Sequence, residues 1–251
     1  MARVTIKQVV KRAFQMCGLD VMRLSKSPRQ TLLGLRCYPI RSVIDVGANV
    51  GQFARYVHTV FPQARIYCFE PLPAAFRELA AWAGGQTGTV VRTFNVALGD
   101  SKGTASMFHH TDFTPSSSLL PTTGRNTELY PFTERQEQIS VLQTTLDDAI
   151  ATLGEPLIDD VLVKLDVQGY EDRVIKGGWA TLARARACIA EVNIEALYEG
   201  QTSFSDLLLA LAKLGFRYSG NLDQEYGDDG RVIFFDTVFT RPLARSRCPS
   251  E

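Results

Sequence analysis

The sequence predicts a doubly wound α/β domain: a mostly parallel sheet with helices on both faces, an antiparallel hairpin near the C-terminal end, and N-terminal helices ahead of the sheet. Three observations predict it. From Ser42 onward, short apolar runs alternate with stretches of helical spacing, the order that builds a parallel sheet through right-handed crossovers. The first run stops at a glycine-bearing turn, Gly47 to Gly51, where a strand hands over to a helix. Val161 to Leu165 is apolar at nearly every position, as a strand covered on both faces should be.

Each element has its own signature. Val4, Ile6, Val9, Val10, Phe14 and Met16 stand at near-helical spacing among Arg3, Lys7, Lys11 and Arg12, which predicts a basic amphipathic helix over 3–18. A second helix is expected over 28–36, ending before Tyr38 and Pro39. Residues 42–46 form the first strand, 52–60 a helix stopped by Pro62, and 65–69 the second strand, ending at Glu70 and Pro71. A helix over 73–82 and a Gly-rich turn lead to a third strand around 89–96. Beyond the strand at 161–165 come a strand at 187–190, a helix over 203–214, and a hairpin of 216–218 with 232–235 around 221–230. Residues 109–135, rich in proline and serine, show no periodicity; a loop of that length marks a functional lid or a mobile insertion. The chain therefore divides into an N-terminal helical extension (1–40), a main domain (41–240) and a flexible tail (241–251).

Bulk properties narrow the function. A 45% hydrophobic, 22% charged composition suits a soluble protein with a sizeable core. Basic and acidic residues balance at 27 each, so no nucleic-acid partner is expected. No apolar run approaches the roughly 18 residues that span a bilayer, and no secretory signal is read. Five cysteines without a C-x-x-C pair argue against a disulfide framework and a thiolate zinc site, which makes a cytoplasmic location the expectation.

The run Asp45-Val46-Gly47-Ala48-Asn49-Val50-Gly51 carries the chemistry. Glycines at a strand's carboxyl end remove the Cβ atoms that keep a ligand from the backbone, and doubly wound sheets bind ligands in that crevice. A P-loop fails because the second glycine comes one position early and Gln52-Phe53 follows it. The dinucleotide fingerprint fails because Asn49 stands where a glycine must admit the pyrophosphate. A loop wrapping the methionine end of S-adenosylmethionine fits, since that ligand joins an amino acid to adenosine through a sulfonium and has no phosphate. Glu70, at the end of the next strand, can accept both ribose hydroxyls, a contact that would serve NAD equally. A nicotinamide-dependent oxidoreductase and a non-catalytic nucleotide-binding module are the rival readings, and a tight turn without a ligand is the plainest.

Together, several segments resemble the FkbM family of methyltransferases. They are the run from Ile44 to Gly51, Phe69-Glu70-Pro71, Asn95-Val96-Ala97-Leu98-Gly99, Leu146-Asp147, the run from Val163 to Glu171, Lys176-Gly177-Gly178 and Ala190-Glu191-Val192. The resemblance covers about 42–220. It implies a Rossmann-like class I methyltransferase sheet and S-adenosyl-L-methionine as cofactor. It also implies O-methylation of a hydroxyl on a sugar, glycan or natural product. Asp45, Gly47, Asn49, Gly51, Glu70, Asn95 and Ala97 are then expected at the cofactor. Many family members carry glutamate where Gln168 stands, so Gln168 receives no acid–base role.

An alcohol acceptor must lose its proton as the C–O bond forms, so a carboxylate or histidine is sought beside the cofactor. Asp166 ends the buried strand, Glu171 opens the next helix and Glu191 ends the next strand; with His109 these are the catalytic candidates. Other roles fit the same residues. Glu171 can pair with Arg173 or Lys176, Asp166 can cap a helix, and His109 or His110 can be the base in place of Asp166. Oxygen ligands from Asp166, Glu171 and Glu191 or Asn193 can hold a divalent metal, but no spacing fixes one and none is assigned. Ser116, Ser117 and Ser118 suit either turn chemistry or a pocket wall, and Lys164 suits pairing within its strand.

The segment 1–36 holds Arg3, Lys7, Lys11, Arg12, Arg23, Lys26, Arg29 and Arg36 against the single acid Asp20, so the rest of the chain is net acidic. Its apolar face is expected to pack as a cap on the main domain or on a second subunit of a homodimer, or to contact a membrane peripherally.

Overall fold

The computed structural model describes residues 6–242, with side chains from residue 9 onward. Two short helices come first, α1 (Ile6–Met16) and α2 (Pro28–Thr31). The expected helix over 28–36 is broken. Leu32 and Leu33 take φ of 50° and Gly34 of 86°, and a 3-10 turn over Leu32–Cys37 follows. Left-handed leucines are costly. They occur here because the kink drives Leu32 and Leu35 into the core beside the sheet.

The sheet elements follow in the expected order. β1 (Ser42–Val46), α3 (Gln52–Val60), β2 (Arg65–Phe69), α4 (Pro73–Gly84) and β3 (Val91–Phe94) form the first half. Then β4 (Ala97–Gly99), β5 (Gly103–His110), α5 (Gly124–Leu129), β6 (Gln136–Thr145) and α6 (Leu146–Ala151) intervene. The second half is β7 (Val161–Leu165), α7 (Glu171–Gly177), α8 (Trp179–Arg184), β8 (Ala185–Asn193), α9 (Phe204–Lys213), β9 (Arg217–Tyr226) and β10 (Val232–Thr240). Seven strands pair in the order β3-β2-β1-β7-β8-β10-β9, parallel except for β10, which runs antiparallel to both neighbours. The chain winds outward from β1 to β3 and then returns to β7 beside β1. The switch point therefore lies between β1 and β7, where a crevice opens at their carboxyl ends.

Alternation along the strands separates two apolar layers. Ile44, Val46, Val163 and Leu165 pack on the side of α6 to α9, with Leu146, Ile175 and Leu211. Val43, Leu162, Ile189 and Val238 pack on the side of α3, with Ala54, Val57, Leu32 and Leu35. The 28–40 stretch is thus part of this second layer.

Three features depart from expectation. A second sheet, β4-β6-β5, stands over the first half and packs Met107 and Val141 against Leu72 and Ala75. The stretch 109–135 is not structureless: β5 occupies its start, Phe108 bridges Ser118, and α5 is capped by the Thr123 side chain, which accepts from the Asn126 N–H at 3.3 Å. Arg241, expected in a frayed tail, donates to the Leu182, Ala183 and Leu214 carbonyls, while its own carbonyl accepts from Tyr38. The rest of the expected flexible tail, 243–251, lies outside the described residues. Cys37 is disulfide-bonded, whereas Cys17, Cys68 and Cys188 are free thiols. Among the described residues, no helix is long and apolar enough to cross a membrane.

Candidate active site

A cavity of about 550 Å³ fills the crevice at the switch point, within the size range of small-molecule sites. Its floor is charged. Asp45 lies beside Lys164 in the β1–β7 register, and both share the sheet face of Val43 and Leu162. Lys164 is ion-paired with Asp166 and sits 5.4 Å from the centre of the Phe53 ring. Asp236, on β10, supplies a third carboxyl group to the wall. One ammonium thus faces three carboxyl groups. Burial alone would lower the Lys164 pKa, but Asp166, Asp45 and Asp236 outweigh it and hold the ammonium protonated. Burial raises Asp45 to about 6, against the opposing charge of Lys164 and the nearby Ala54 N–H, and neither Asp45 oxygen makes a hydrogen bond of good geometry. Asp236 is raised by burial as well.

The glycine loop forms the next wall. Gly47 has φ of 80°, and a Cβ there would lie 1.8 Å from the Asp166 carbonyl oxygen, so only glycine lets the β1 and β7 ends meet. Gly51, at φ of 91°, precedes α3; its absent Cβ would sit 2.9 Å from Leu79 Cδ1, and it does not line the cavity. Glu70 braces the loop. Its carboxylate accepts the Asn49 and Leu72 N–H groups, each at 2.7 Å, and burial raises it to about 7 against those two bonds. Asn49 in turn donates its amide to Thr114 Oγ1 at 3.2 Å. Asn95 stands outside the cavity and donates to the Glu70 and Pro71 carbonyls, both at 2.9 Å.

Among the expected cofactor residues, Asp45, Gly47, Asn49, Glu70 and Ala97 therefore line the cavity. Among the expected catalytic residues, only Asp166 does. Gln168 joins it to Glu191: its amide donates to Asp166 Oδ1 at 2.9 Å and to Glu191 Oε1 at 2.6 Å, while the Tyr198 hydroxyl lies 2.7 Å from its oxygen. Burial, then the charges of Asp166 and Asp236, push Glu191 well above the usual carboxylate range. Glu171 is buried behind the loop, accepts the Gly169 N–H at 3.1 Å, and is raised to about 7 by burial. Arg173 and Lys176 pair instead with Asp172 and Asp100. His109 lies on β5 opposite Glu137, away from the cavity wall. His110 is fully buried, with Nδ1 2.6 Å from Ser116 Oγ. Ser117 and Ser118 line the cavity, and Ser118 donates to the Gln168 carbonyl at 2.8 Å.

Sequence reasoning missed the wall opposite the second sheet. Phe53 and Tyr56 of α3, Asp236, and the paired Arg29 and Asp223, 3.3 Å apart, stand there. The lone acid within the apolar run 232–239 was the available signal for Asp236.

The pattern of the methyltransferase FkbM domain matches residues 45–218, well over half of the chain. This chain belongs to the FkbM methyltransferase family. It is 33% identical over 179 residues to the 2-O-methyltransferase NoeI of Sinorhizobium fredii NGR234, an alignment covering 66% of this chain and 69% of NoeI. It is 29% identical over 180 residues to the 31-O-demethyl-FK506 methyltransferase FkbM of Streptomyces tacrolimicus, covering 64% and 68% of the two chains. The crystal structure of methyltransferase FkbM from Methylobacillus flagellatus KT superposes with a TM-score of 0.51 at 13% identity, which supports the fold. That alignment takes in 93% of this chain, which spans about half (51%) of the other protein. In this FkbM-family methyltransferase the matched stretch holds Asp45, Glu70, Lys164 and Asp166, whereas Arg29, Asp223 and Asp236 fall outside it.

Proposed function

We propose that this methyltransferase moves the methyl group of S-adenosylmethionine to a hydroxyl oxygen of a small-molecule or glycan acceptor. The observation that carries the reading is Asp45: a carboxyl group buried in the cavity wall with neither oxygen hydrogen-bonded. An orphaned buried carboxyl group calls for a cationic or hydrogen-bonding ligand, and with Asp166 and Asp236 it outnumbers the single Lys164 ammonium. When bound, S-adenosylmethionine supplies an electrophilic methyl group on a sulfonium. Glu70, at the tip of β2, suits the ribose; it already accepts two N–H groups, and carboxylate oxygens have further lone pairs.

In this reading Asp166 takes the acceptor's proton. Lys164 and Gln168 fix its carboxylate at the end of β7, where it faces the cavity and can accept the proton lost as the C–O bond forms. Positioning of the hydroxyl then supplies the larger share of the rate. NoeI, a 2-O-methyltransferase, and the Streptomyces 31-O-demethyl-FK506 methyltransferase both carry names that put the methyl group on oxygen, which supports the choice of acceptor atom.

Calorimetry tests the cofactor: S-adenosylhomocysteine should bind with micromolar affinity and NAD should not, and the opposite result overturns the reading. Asp166→Asn should lower turnover by a factor of about 10² or more while homocysteine-product binding stays within a few-fold. Unchanged turnover, measured with labelled cofactor over glycan and natural-product acceptors, removes Asp166 from the reaction.

A further inference from the structure

The N-terminal segment divides into two parts with different fates. Leu32 and Leu35 enter the core, but among the described side chains no apolar one of α1 or the turn after it is buried. Val9, Val10 and Phe14 form the stripe of an amphipathic helix and are 40–55% exposed. Met16, at the end of the helix, and Met22 and Leu24 in the turn after it are also exposed, by 89%, 61% and 70%. An apolar patch of this extent on a folded chain marks a surface that meets something.

Charge identifies what it meets. Residues 1–36 hold eight basic side chains and one acid, while the remainder of the chain holds 19 basic and 26 acidic residues. Lys11 shares its charge with Asp20 at 3.1 Å, whereas Arg12, Arg23 and Lys26 are exposed and make no ion pair among the described residues. The partner must therefore be apolar and negative in the same plane. A second copy would bring two basic segments together, which like-charge repulsion opposes.

We propose that α1 and the 17–26 turn dock this protein on an anionic lipid bilayer, with the apolar stripe in the headgroup layer and the basic residues on lipid phosphates. The net acidic body is repelled by the same surface, which orients the molecule. Arg29 and Leu32, a few residues beyond Lys26, line the cavity, so docking sets the mouth of the site beside the lipid headgroups.

Vesicle sedimentation of the full chain tests this without cofactor or turnover. Vesicles of phosphatidylcholine with about a third phosphatidylglycerol should carry the protein down at low salt, with release at high salt as the Debye length shrinks. Neutral phosphatidylcholine vesicles should not. Replacing Arg12, Arg23 and Lys26 by Gln should weaken partitioning by about fivefold per charge, and Val10→Asp with Phe14→Asp should abolish it. These side chains are exposed, so the thermal midpoint of each variant should match that of the parent. Absence of pelleting at low salt overturns the proposal, as does equal partitioning onto neutral vesicles. A dimer that dissolves in the Val10→Asp, Phe14→Asp variant, without vesicle binding, gives the surface to a second copy instead.

Discussion

Asp45→Asn should make the protein more stable and a poorer binder. The Asp45 carboxyl group is fully buried, makes no hydrogen bond of good geometry, and is raised by burial from 3.8 to about 6. At 1.36 kcal/mol for each tenfold change in the constant, that amounts to about 3 kcal/mol of preference for the neutral form in the fold. The folded state holds this proton more tightly than the unfolded chain, so the associated stability is present below about pH 4 and lost as pH rises through about 6. At pH 8 the parent bears the whole penalty and the isosteric Asn variant none. The variant should therefore be more stable by about 3 kcal/mol at pH 8, converging on the parent toward pH 4. Lys164 retains Asp166 and Asp236, so removing Asp45 does not strand it. Binding moves the other way: loss of one charge-assisted contact, worth about 1.5–3 kcal/mol, should weaken S-adenosylhomocysteine about 10- to 100-fold. Urea unfolding at pH 4.5 and 8, with calorimetry on the same samples, reads both effects. A variant less stable than the parent at pH 8, or one that binds equally well, refutes the account of the charged floor.

Two further substitutions probe the frame of the site. Gly47→Ala puts a methyl group 1.8 Å from the Asp166 carbonyl oxygen in a left-handed conformation, so it should cost about 2–4 kcal/mol and abolish measurable product binding, by urea unfolding and calorimetry. Stability within 0.5 kcal/mol, on the order of a neutral surface change, would show that the two strand ends do not need that approach. Leu35→Ala removes a fully buried side chain beside the sheet and should cost about 2–5 kcal/mol; a smaller loss would show that the kinked segment merely lies on the domain.

β1, β2, α3 and β7 were legible to the residue because apolar runs there end at Gly47, Glu70-Pro71, Pro62 and Asp166. β5 and β6 escaped notice. Their alternation, with Ala105 and Met107 facing Val141 and Ile139, is brief, and the polar outward positions dilute it below the signal of a core strand. Leucines at positive φ cannot be foreseen from local preference, because only the space beside α3 makes the kink worthwhile. The site was legible at strand ends, where topology dictates position: Asp45, Gly47, Glu70 and Asp166 all face the cavity. Glu171 and Glu191 were expected beside Asp166 on one rim, and His109 as a candidate base, yet all three lie off the cavity wall. A strand order tells which elements converge, not on which side of a turn a side chain emerges.

β10 has a consequence for how the molecule comes into being. It sits between β8 and β9, antiparallel to both, and carries Asp236 into the cavity wall. Among the described residues it is also the last strand in chain order. While the ribosome is still adding residues before Val232, β8 presents an unpaired edge, β9 has no neighbour to bond, and the floor of the site lacks one carboxyl group. Such an edge invites pairing with other chains, so a nascent product cut short before Val232 is exposed to aggregation and cannot have a finished site. Completion of the sheet and completion of the cavity floor are thus a single event in the life of each chain.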